Sequence, residues 1–149
     1  MKTLYVNRPL LNGEEVVKWA KSVGFETTLL PSDMHVTIAF SKKEVDWDLV
    51  SPDNKELFIP FQPNRKIEKF GELKNVAVMT FDSDKLSNRW QDFINIGASW
   101  DFPNYSSHIT ISYESVNVNP IYVYEGPLYF GGEVFKEVVL NWDKKIKES

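Results

Sequence analysis

Hydrophobic and polar residues alternate along several short segments of the chain, as they do in strands that have one buried face. In residues 2–6, Leu4 and Val6 alternate with Thr3 and Tyr5, so Tyr5 is expected on the face opposite the apolar pair. Further strands are predicted at residues 34–40, 65–70, 75–81, 107–113, 120–130 and 133–142. Residues 41–64 combine charged residues with three prolines, which predicts an irregular connection with room for one short element.

Two other segments carry apolar residues at helical spacing. The first helix is predicted at residues 13–23, with Asn12 as its N-cap and a glycine after its last turn. The second helix is predicted to begin near Ser83 or Asp84 and to end at Gly97. Trp19 and Trp90 lie on the apolar stripes of the two helices, so both are expected in the core.

The predicted elements are in the order strand, helix, strand in each half of the chain, which indicates an α+β domain with two similar lobes. Near the end of the chain, Gly131 and Gly132 separate two predicted strands. A two-residue turn of this kind needs positive φ, so the pair predicts a hairpin between residues 120–130 and 133–142.

The length of 149 residues fits one domain, residues 1–149, with a core that needs no disulfides. The chain has no cysteine, which excludes a thiol nucleophile and cysteine-ligated metal sites and indicates a reducing cytoplasm. The net charge of −4 argues against binding to long nucleic acids. The sequence contains no apolar run of the roughly 18 residues that a membrane span requires, so no membrane association is expected.

The most informative pattern involves the two histidines of the chain, His35 and His108, because each is followed two residues later by a threonine, Thr37 or Thr110. Two such hits have a chance probability of about 0.002 at this threonine content. Residues i and i+2 of a strand share a face, so each His-Thr pair is expected to point away from the apolar layer. The residues expected on the opposite face are Val36, Ile38 and Phe40 in the first strand and Ile109, Ile111 and Tyr113 in the second.

Paired His-x-Thr motifs in two similar lobes resemble those of the two-histidine (2H) phosphoesterase superfamily, and the order of elements matches from about residue 2 to residue 142. The run from Pro31 to Phe40, the short chain and the Gly-Gly pair followed by Val-Val-Leu-Asn-Trp are similar to the phage anti-CBASS phosphodiesterases. This resemblance implies a bilobal, pseudo-symmetric 2H fold whose antiparallel sheets form a central groove, with the helices packed outside. It also implies an enzyme that degrades the cyclic oligonucleotide signals of bacterial defence.

The four motif residues supply the groups that metal-independent cleavage of a 3′–5′ phosphodiester needs. His35 and His108 provide a general base and a general acid, although the sequence does not assign the two roles. Thr37 and Thr110 would donate hydrogen bonds to the non-bridging phosphoryl oxygens. A metal site is less favoured because neither histidine has a carboxylate or second histidine at a tight ligand spacing. Neither a metal nor a cofactor is therefore expected.

Aromatic residues are candidates for stacking on the nucleobases. Tyr5 shares the presumed face of the motifs, and the resemblance also favours a stacking aromatic in the first strand and another nucleobase contact at Trp142. Trp100 precedes the second motif and is a third candidate, which could equally cover the core. The expected partner is a cyclic oligonucleotide substrate bound by a monomer in the cytoplasm, that of the host bacterium if the chain is phage-encoded.

Two alternative functions are compatible with the same sequence. A 2H enzyme that acts on RNA ends or on linear 2′,5′-linked oligonucleotides would use the same four residues. A non-catalytic protein could instead sequester a cyclic nucleotide without cleaving it. The matched His-Thr pairs favour an enzyme, because sequestration does not require an acid and a base.

Overall fold

The computed structural model describes residues 1–71, 75–115 and 118–139, in which a six-stranded sheet is the largest element. The helices and strands in chain order are β1 (Lys2–Pro9), α1 (Gly13–Ser22), β2 (His35–Val45), β3 (Leu57–Ile59), β4 (Lys66–Phe70), β5 (Val76–Thr80), α2 (Asp84–Asn95), β6 (His108–Ser112), β7 (Leu128–Phe130) and β8 (Val134–Lys136). Short 3₁₀ turns lie at Pro31–Asp33 and Trp47–Leu49. No helix within the described ranges has the length and apolar character to cross a bilayer.

The strands of the large sheet are ordered β4-β5-β6-β2-β1-β8, and all their pairings are antiparallel. The units β1–α1–β2 and β5–α2–β6 repeat the same order of elements, and their last strands, β2 and β6, are neighbours at the centre of the sheet. One half of the sheet is β4-β5-β6, and the other is β2-β1 with β8 added at its edge from the last part of the chain. The predicted α+β class and the repeated strand, helix, strand order are confirmed.

The core lies between one face of the sheet and the helices. Fully buried strand residues include Leu4, Val6, Val36, Ile38, Ile109 and Ile111, and they cluster with Val16 and Ala20 of α1 and with Leu86 and Phe93 of α2. Burial of each such side chain contributes about 1.5–3 kcal/mol of hydrophobic free energy. The polar residues that alternate with these apolar ones, His35 and Thr37 in β2 and His108 and Thr110 in β6, are directed to the other face.

The helices match their predicted ranges, and Gly24 and Gly97 follow them with the positive φ of helix C-termini. Ser83 caps α2, since its hydroxyl accepts a hydrogen bond from the Leu86 amide. Asn12 is the N-cap residue of α1, as predicted, but its side chain makes no capping hydrogen bond. Its amide group instead donates to the Pro127 carbonyl at 2.8 Å and accepts from the backbone amide of residue 129, so it ties the start of α1 to β7.

The prediction of a hairpin at Gly131 and Gly132 is wrong. Strand β7 pairs with β3 in a separate two-stranded sheet, whereas β8 pairs with β1 at the edge of the large sheet. Neither glycine has positive φ. A Cβ atom on Gly132 would lie 3.0 Å from the backbone of Asn54, so this glycine permits a close approach between two segments and does not form a tight turn.

Arg8 holds these segments against the sheet. It is 2% exposed, and its guanidinium donates to the carbonyls of Lys55 and Gly131 and forms an ion pair with Asp53 at 3.0 Å. A buried guanidinium needs acceptors to offset its desolvation, and both terminal nitrogens of Arg8 have them. Arg8 therefore fixes the connection before β3 and the connection between β7 and β8 to β1.

Candidate active site

The two His-x-Thr motifs meet at the centre of the large sheet. Val36 of β2 pairs with Ile109 of β6 in antiparallel register. This register sets His35 beside Thr110 and Thr37 beside His108, with all four side chains on the face opposite the core. The two histidines are diagonal neighbours across the pair of strands, a relationship that separates the two positions by about 7–8 Å and their Cβ atoms by somewhat less. The structure thus brings the four predicted site residues together.

The two imidazoles are held by equivalent hydrogen bonds. Nδ1 of His35 lies 2.9 Å from the carbonyl oxygen of Asp33, and Nδ1 of His108 lies 3.0 Å from the carbonyl oxygen of Ser106. Because a carbonyl oxygen only accepts, each Nδ1 carries the proton, and the neutral ring has its lone pair on Nε2. In both histidines, Nε2 is therefore the ring nitrogen that can take part in proton transfer.

The surroundings of His35 favour its neutral form. Burial lowers the pKa of His35 below its ordinary value, and the hydrogen bond to the Asp33 carbonyl opposes this effect only in part. The positive charges of His108 and Lys136 lower the same pKa further. The influence of His108 shows that the two imidazoles are close enough to interact electrostatically.

Tyr5 lies on the same face of the sheet and contacts the first motif directly. Its hydroxyl is 3.0 Å from Nε2 of His35 and 3.5 Å from the hydroxyl of Thr37. Since Nε2 of the neutral ring is an acceptor, the Tyr5 hydroxyl donates to it. The rings of Tyr5 and His35 meet edge to face with their centroids 6.4 Å apart. Tyr5 is therefore placed to orient His35. The stacking of its ring on a nucleobase stays a prediction.

A β-bulge changes the predicted faces of β2. The ladder between β1 and β2 skips Ile38, and both Ile38 and Ala39 are buried. The expectation that Phe40 lies on the apolar face is consequently wrong. Phe40 is paired with Tyr5, and their ring centroids are 5.7 Å apart on the face that carries His35.

Lys136 is a site residue that the sequence did not single out. It lies opposite Tyr5 in the register of β1 and β8, is exposed, and is close enough for its charge to act on His35. The residue falls within a predicted strand, but the pairing partner of that strand could not be read from the sequence. The sequence could have indicated Lys136 only if β8 had been paired with β1, because the lysine then lies on the same face as Tyr5.

Trp100 belongs to the segment that precedes β6 and lies in a cluster of aromatic rings. The ring of Trp100 contacts those of Trp90, Phe102 and Tyr105, with the Trp100 and Tyr105 centroids 5.8 Å apart. Tyr105, which donates to the Thr37 carbonyl, links this ring to the first motif, and a base contact by Trp100 stays a prediction. Trp142 lies outside the described residues.

The donor groups around the motifs do not form a metal-binding cluster. Within the described ranges, no group of three or more histidine and carboxylate side chains is placed to hold a metal ion. The residues before the histidines, Asp33 and Ser106, use their main-chain carbonyls to orient the rings. Two neighbouring imidazoles of this kind can supply a general base, which takes up a proton, and a general acid, which releases one.

Comparison with known proteins identifies related chains. The model of the family described as "Anti-CBASS protein Acb1" matches residues 2–145. A relative of this description from Caulobacter sp. (strain RHG1) is 38% identical over an alignment that covers 99% of this chain and 24% of the relative. Another, from Sphingomonas paeninsulae, is 42% identical, with coverage of 95% and 24%. The chain thus spans about a quarter of the length of these two relatives.

Similarity extends to a phage protein and to solved structures. A relative of the same description from Vibrio phage KVP40 is 28% identical, and the alignment covers 74% of this chain and 70% of the relative. The fold is similar to that of Escherichia coli LigT, solved in complex with 3′-AMP, with a TM-score of 0.55, 11% identity and coverage of 90% and 86%. A second structure, described as a phosphoesterase, gives a TM-score of 0.56, 10% identity and coverage of 91% and 87%. These likenesses confirm the predicted 2H phosphoesterase fold.

Proposed function

The chain belongs to the family of the anti-CBASS protein Acb1, and from this membership we propose that it hydrolyses 3′–5′ bonds of cyclic di- and trinucleotides to linear products. The reaction would need no metal, and it would counter CBASS defence inside the bacterial cell. The observation that supports the proposal most is the convergence of two identically oriented imidazoles and two threonines on one face of neighbouring strands.

The geometry suits displacement at phosphorus. A ribose 2′-hydroxyl or a water attacks the phosphorus, and its proton passes to Nε2 of one histidine as the new P–O bond forms. The P–O5′ bond breaks on the opposite side, and the leaving oxygen takes a proton from the other imidazole. The hydroxyls of Thr37 and Thr110 donate to the non-bridging oxygens, which gain charge in the transition state.

The two histidines take different roles in this proposal. His35 is the general base, because its lowered pKa favours the neutral ring and its Nε2 carries the lone pair. The Tyr5 hydroxyl donates to this lone pair, and the attacking hydroxyl or water would replace that bond in the complex. The role of general acid then belongs to His108. The positive charge of Lys136 favours an anionic phosphodiester at the same place.

Mass spectrometry of a cyclic GMP-AMP digest in excess chelator tests the proposal. The wild-type chain is expected to convert many equivalents of substrate to a linear dinucleotide. His35→Ala and His108→Ala are each expected to lower kcat/KM by about 10²–10⁴, the usual contribution of general acid or base catalysis. Activity of either variant within about tenfold of wild type would contradict the acid and base assignment.

A panel of other substrates separates the alternative functions. Faster cleavage of linear 2′,5′-oligonucleotides or RNA 2′,3′-cyclic phosphate ends than of cyclic GMP-AMP would indicate the alternative 2H activity. Stoichiometric protection of cyclic GMP-AMP, with intact ligand recovered after denaturation of the protein, would indicate sequestration. Loss of turnover in chelator that returns on addition of a metal would contradict metal independence.

A further inference from the structure

The segment between α2 and β6, residues 96–107, lies alongside β2 in space and is hydrogen-bonded to it at two places. Near its beginning, the Ser99 amide donates to the Ser41 hydroxyl at 2.9 Å, and the Lys43 amide donates to the Ser99 hydroxyl at 3.3 Å. Near its end, the Tyr105 hydroxyl donates to the main-chain carbonyl of Thr37 at 2.6 Å. The second attachment joins the residue three positions before His108 to the first His-x-Thr motif.

This attachment occurs where the sheet itself holds the two motifs weakly. Strands β1 and β2 share seven register pairs. In the part of the chain that the structure describes, β2 and β6 are paired only at Val36 and Ile109. One pair of residues restricts the relative position of two strands less than a continuous ladder does. Catalysis by two imidazoles on one phosphate is sensitive to that position, since a misplacement of about 1 Å can cost about 10²-fold in rate.

We propose that the Tyr105 hydroxyl is a positioning group that sets the separation between the two His-x-Thr motifs. The inference rests on the proposed function, because it concerns the geometry of that reaction. Tyr105 touches none of the reacting atoms; it acts through the β2 backbone at Thr37.

The ring of Tyr105 is held firmly enough for this role. It stacks on Trp90 with an interplanar angle of 20° and a centroid distance of 5.9 Å, and Trp100 packs against it from another direction. Burial raises the pKa of Tyr105, so the hydroxyl stays protonated and remains a donor at neutral pH. A rigid ring with a permanent donor can transmit the position of the segment before β6 to β2.

Tyr105→Phe and Ser107→Ala form a matched pair for testing this inference. Tyr105→Phe keeps the ring and its stacking but removes the bond to Thr37. Ser107→Ala removes another hydroxyl-to-carbonyl bond next to His108, because the Ser107 hydroxyl donates to the Phe81 carbonyl at 2.6 Å. Phe81 directly follows β5, so the Ser107 bond stays within one half of the sheet.

Steady-state kinetics with cyclic GMP-AMP are expected to separate the two variants. Tyr105→Phe should lower kcat about 10- to 100-fold while KM stays within about threefold, because binding groups are kept and only the alignment of the imidazoles changes. Ser107→Ala should keep both constants within about threefold of wild type. Equal kinetics of the two variants would overturn the inference.

Amide hydrogen exchange gives a readout that does not depend on turnover. Val36 and Ile109 form a non-hydrogen-bonded pair, so the amides that face the neighbouring strand are those of Thr37 and Thr110. Exchange at these two amides should be about tenfold faster in Tyr105→Phe than in Ser107→Ala, since the central strand pair opens more readily without the tether. Equal protection in the two variants would overturn the inference. If the wild-type chain does not cleave cyclic GMP-AMP, the proposed function fails, and the exchange result alone decides the role of Tyr105.

Discussion

Main-chain carbonyls orient both imidazoles, and this explains why different side chains can precede the two histidines. The acceptors for Nδ1 belong to Asp33 and Ser106, each two residues before its histidine. A carbonyl two residues upstream is available whatever the side chain, so the same ring orientation can arise in both lobes. The sequence predicted the shared face of each His-Thr pair from strand periodicity, but it could not show these backbone contacts.

Tyr5 combines two functions that substitution can separate. Tyr5→Phe keeps an aromatic surface for a base but removes the hydroxyl that donates to His35 at 3.0 Å. We expect this variant to lower kcat by about tenfold with little change in KM, because only the orientation of the base is lost. Tyr5→Ala removes the stacking surface as well and should also raise KM for cyclic GMP-AMP by about tenfold or more.

Steady-state kinetics of the two variants check this separation. A rise in KM of equal size in Tyr5→Phe and Tyr5→Ala would contradict a stacking role for the ring. An unchanged kcat in Tyr5→Phe would contradict an orienting role for the hydroxyl.

At the scale of elements, local sequence patterns predicted the helices and the central strands, but they could not predict which distant strands pair with each other. The helices α1 and α2 follow from apolar periodicity and from the glycines after each helix. Neither the Gly131–Gly132 connection nor the bulge at Ile38 could be predicted in this way, because both depend on which distant segment packs alongside. The predicted face of Phe40 was wrong for this reason, since a single extra residue in a strand reverses the alternation of side chains that follows it.

The start of α1 is packed against the turn that precedes His35, and this contact leads to a prediction. A Cβ atom on Gly13 would lie 2.6 Å from the carbonyl oxygen of Pro31. Alanine favours helix over glycine by about 1 kcal/mol, but the clash with backbone should outweigh that gain. We expect Gly13→Ala to lower the free energy of unfolding by about 1–3 kcal/mol and to reduce kcat, because Asp33 and His35 follow the displaced turn.

Urea denaturation with Lys18→Ala as the control checks the Gly13 prediction. Lys18 is exposed on the same helix, so its substitution should change stability by no more than about 0.5 kcal/mol. A Gly13→Ala variant that is as stable as Lys18→Ala, or more stable, would contradict the close packing at Pro31.

At the scale of the whole molecule, the two halves place equivalent strands side by side so that one site forms at their junction. The spacing of the two motifs and the repeated order of elements predicted this symmetry from the sequence. The groups that join the halves, Tyr105 to Thr37 and Ser99 to Ser41, could not be predicted, because they come from an irregular segment without periodicity. The expected groove is an inference from the 2H resemblance and stays a prediction.

The lowered pKa of the half-buried His35 predicts how stability depends on pH. The pKa of His35 is lowered in the folded chain from the ordinary value near 6.5 that it has when unfolded. Above that ordinary value both states hold a neutral ring. As the pH falls through it, the unfolded state takes up the proton first, so the free energy of unfolding decreases until the pH is below the folded pKa. We expect His35→Gln to show a smaller loss of stability than wild type between about pH 7.5 and about pH 5.5.

Urea denaturation of both chains across this range measures the effect. Aspartate and glutamate titrate mainly below the range, so the difference between the two chains isolates His35. Identical pH dependence of the two free energies would show that His35 is not buried as a neutral base.

The claim on which the mechanism depends is that both imidazoles contact one phosphate, and a single titration measures it. The chain has two histidines, so its imidazole ¹⁵N spectrum contains two spin systems, which His35→Ala assigns. Addition of a bis-phosphorothioate cyclic GMP-AMP, which resists cleavage, should move the Nε2 signals of His35 and His108 together along one saturation curve. A ligand that saturates the protein while moving the signal of one histidine alone, or of neither, would contradict the account.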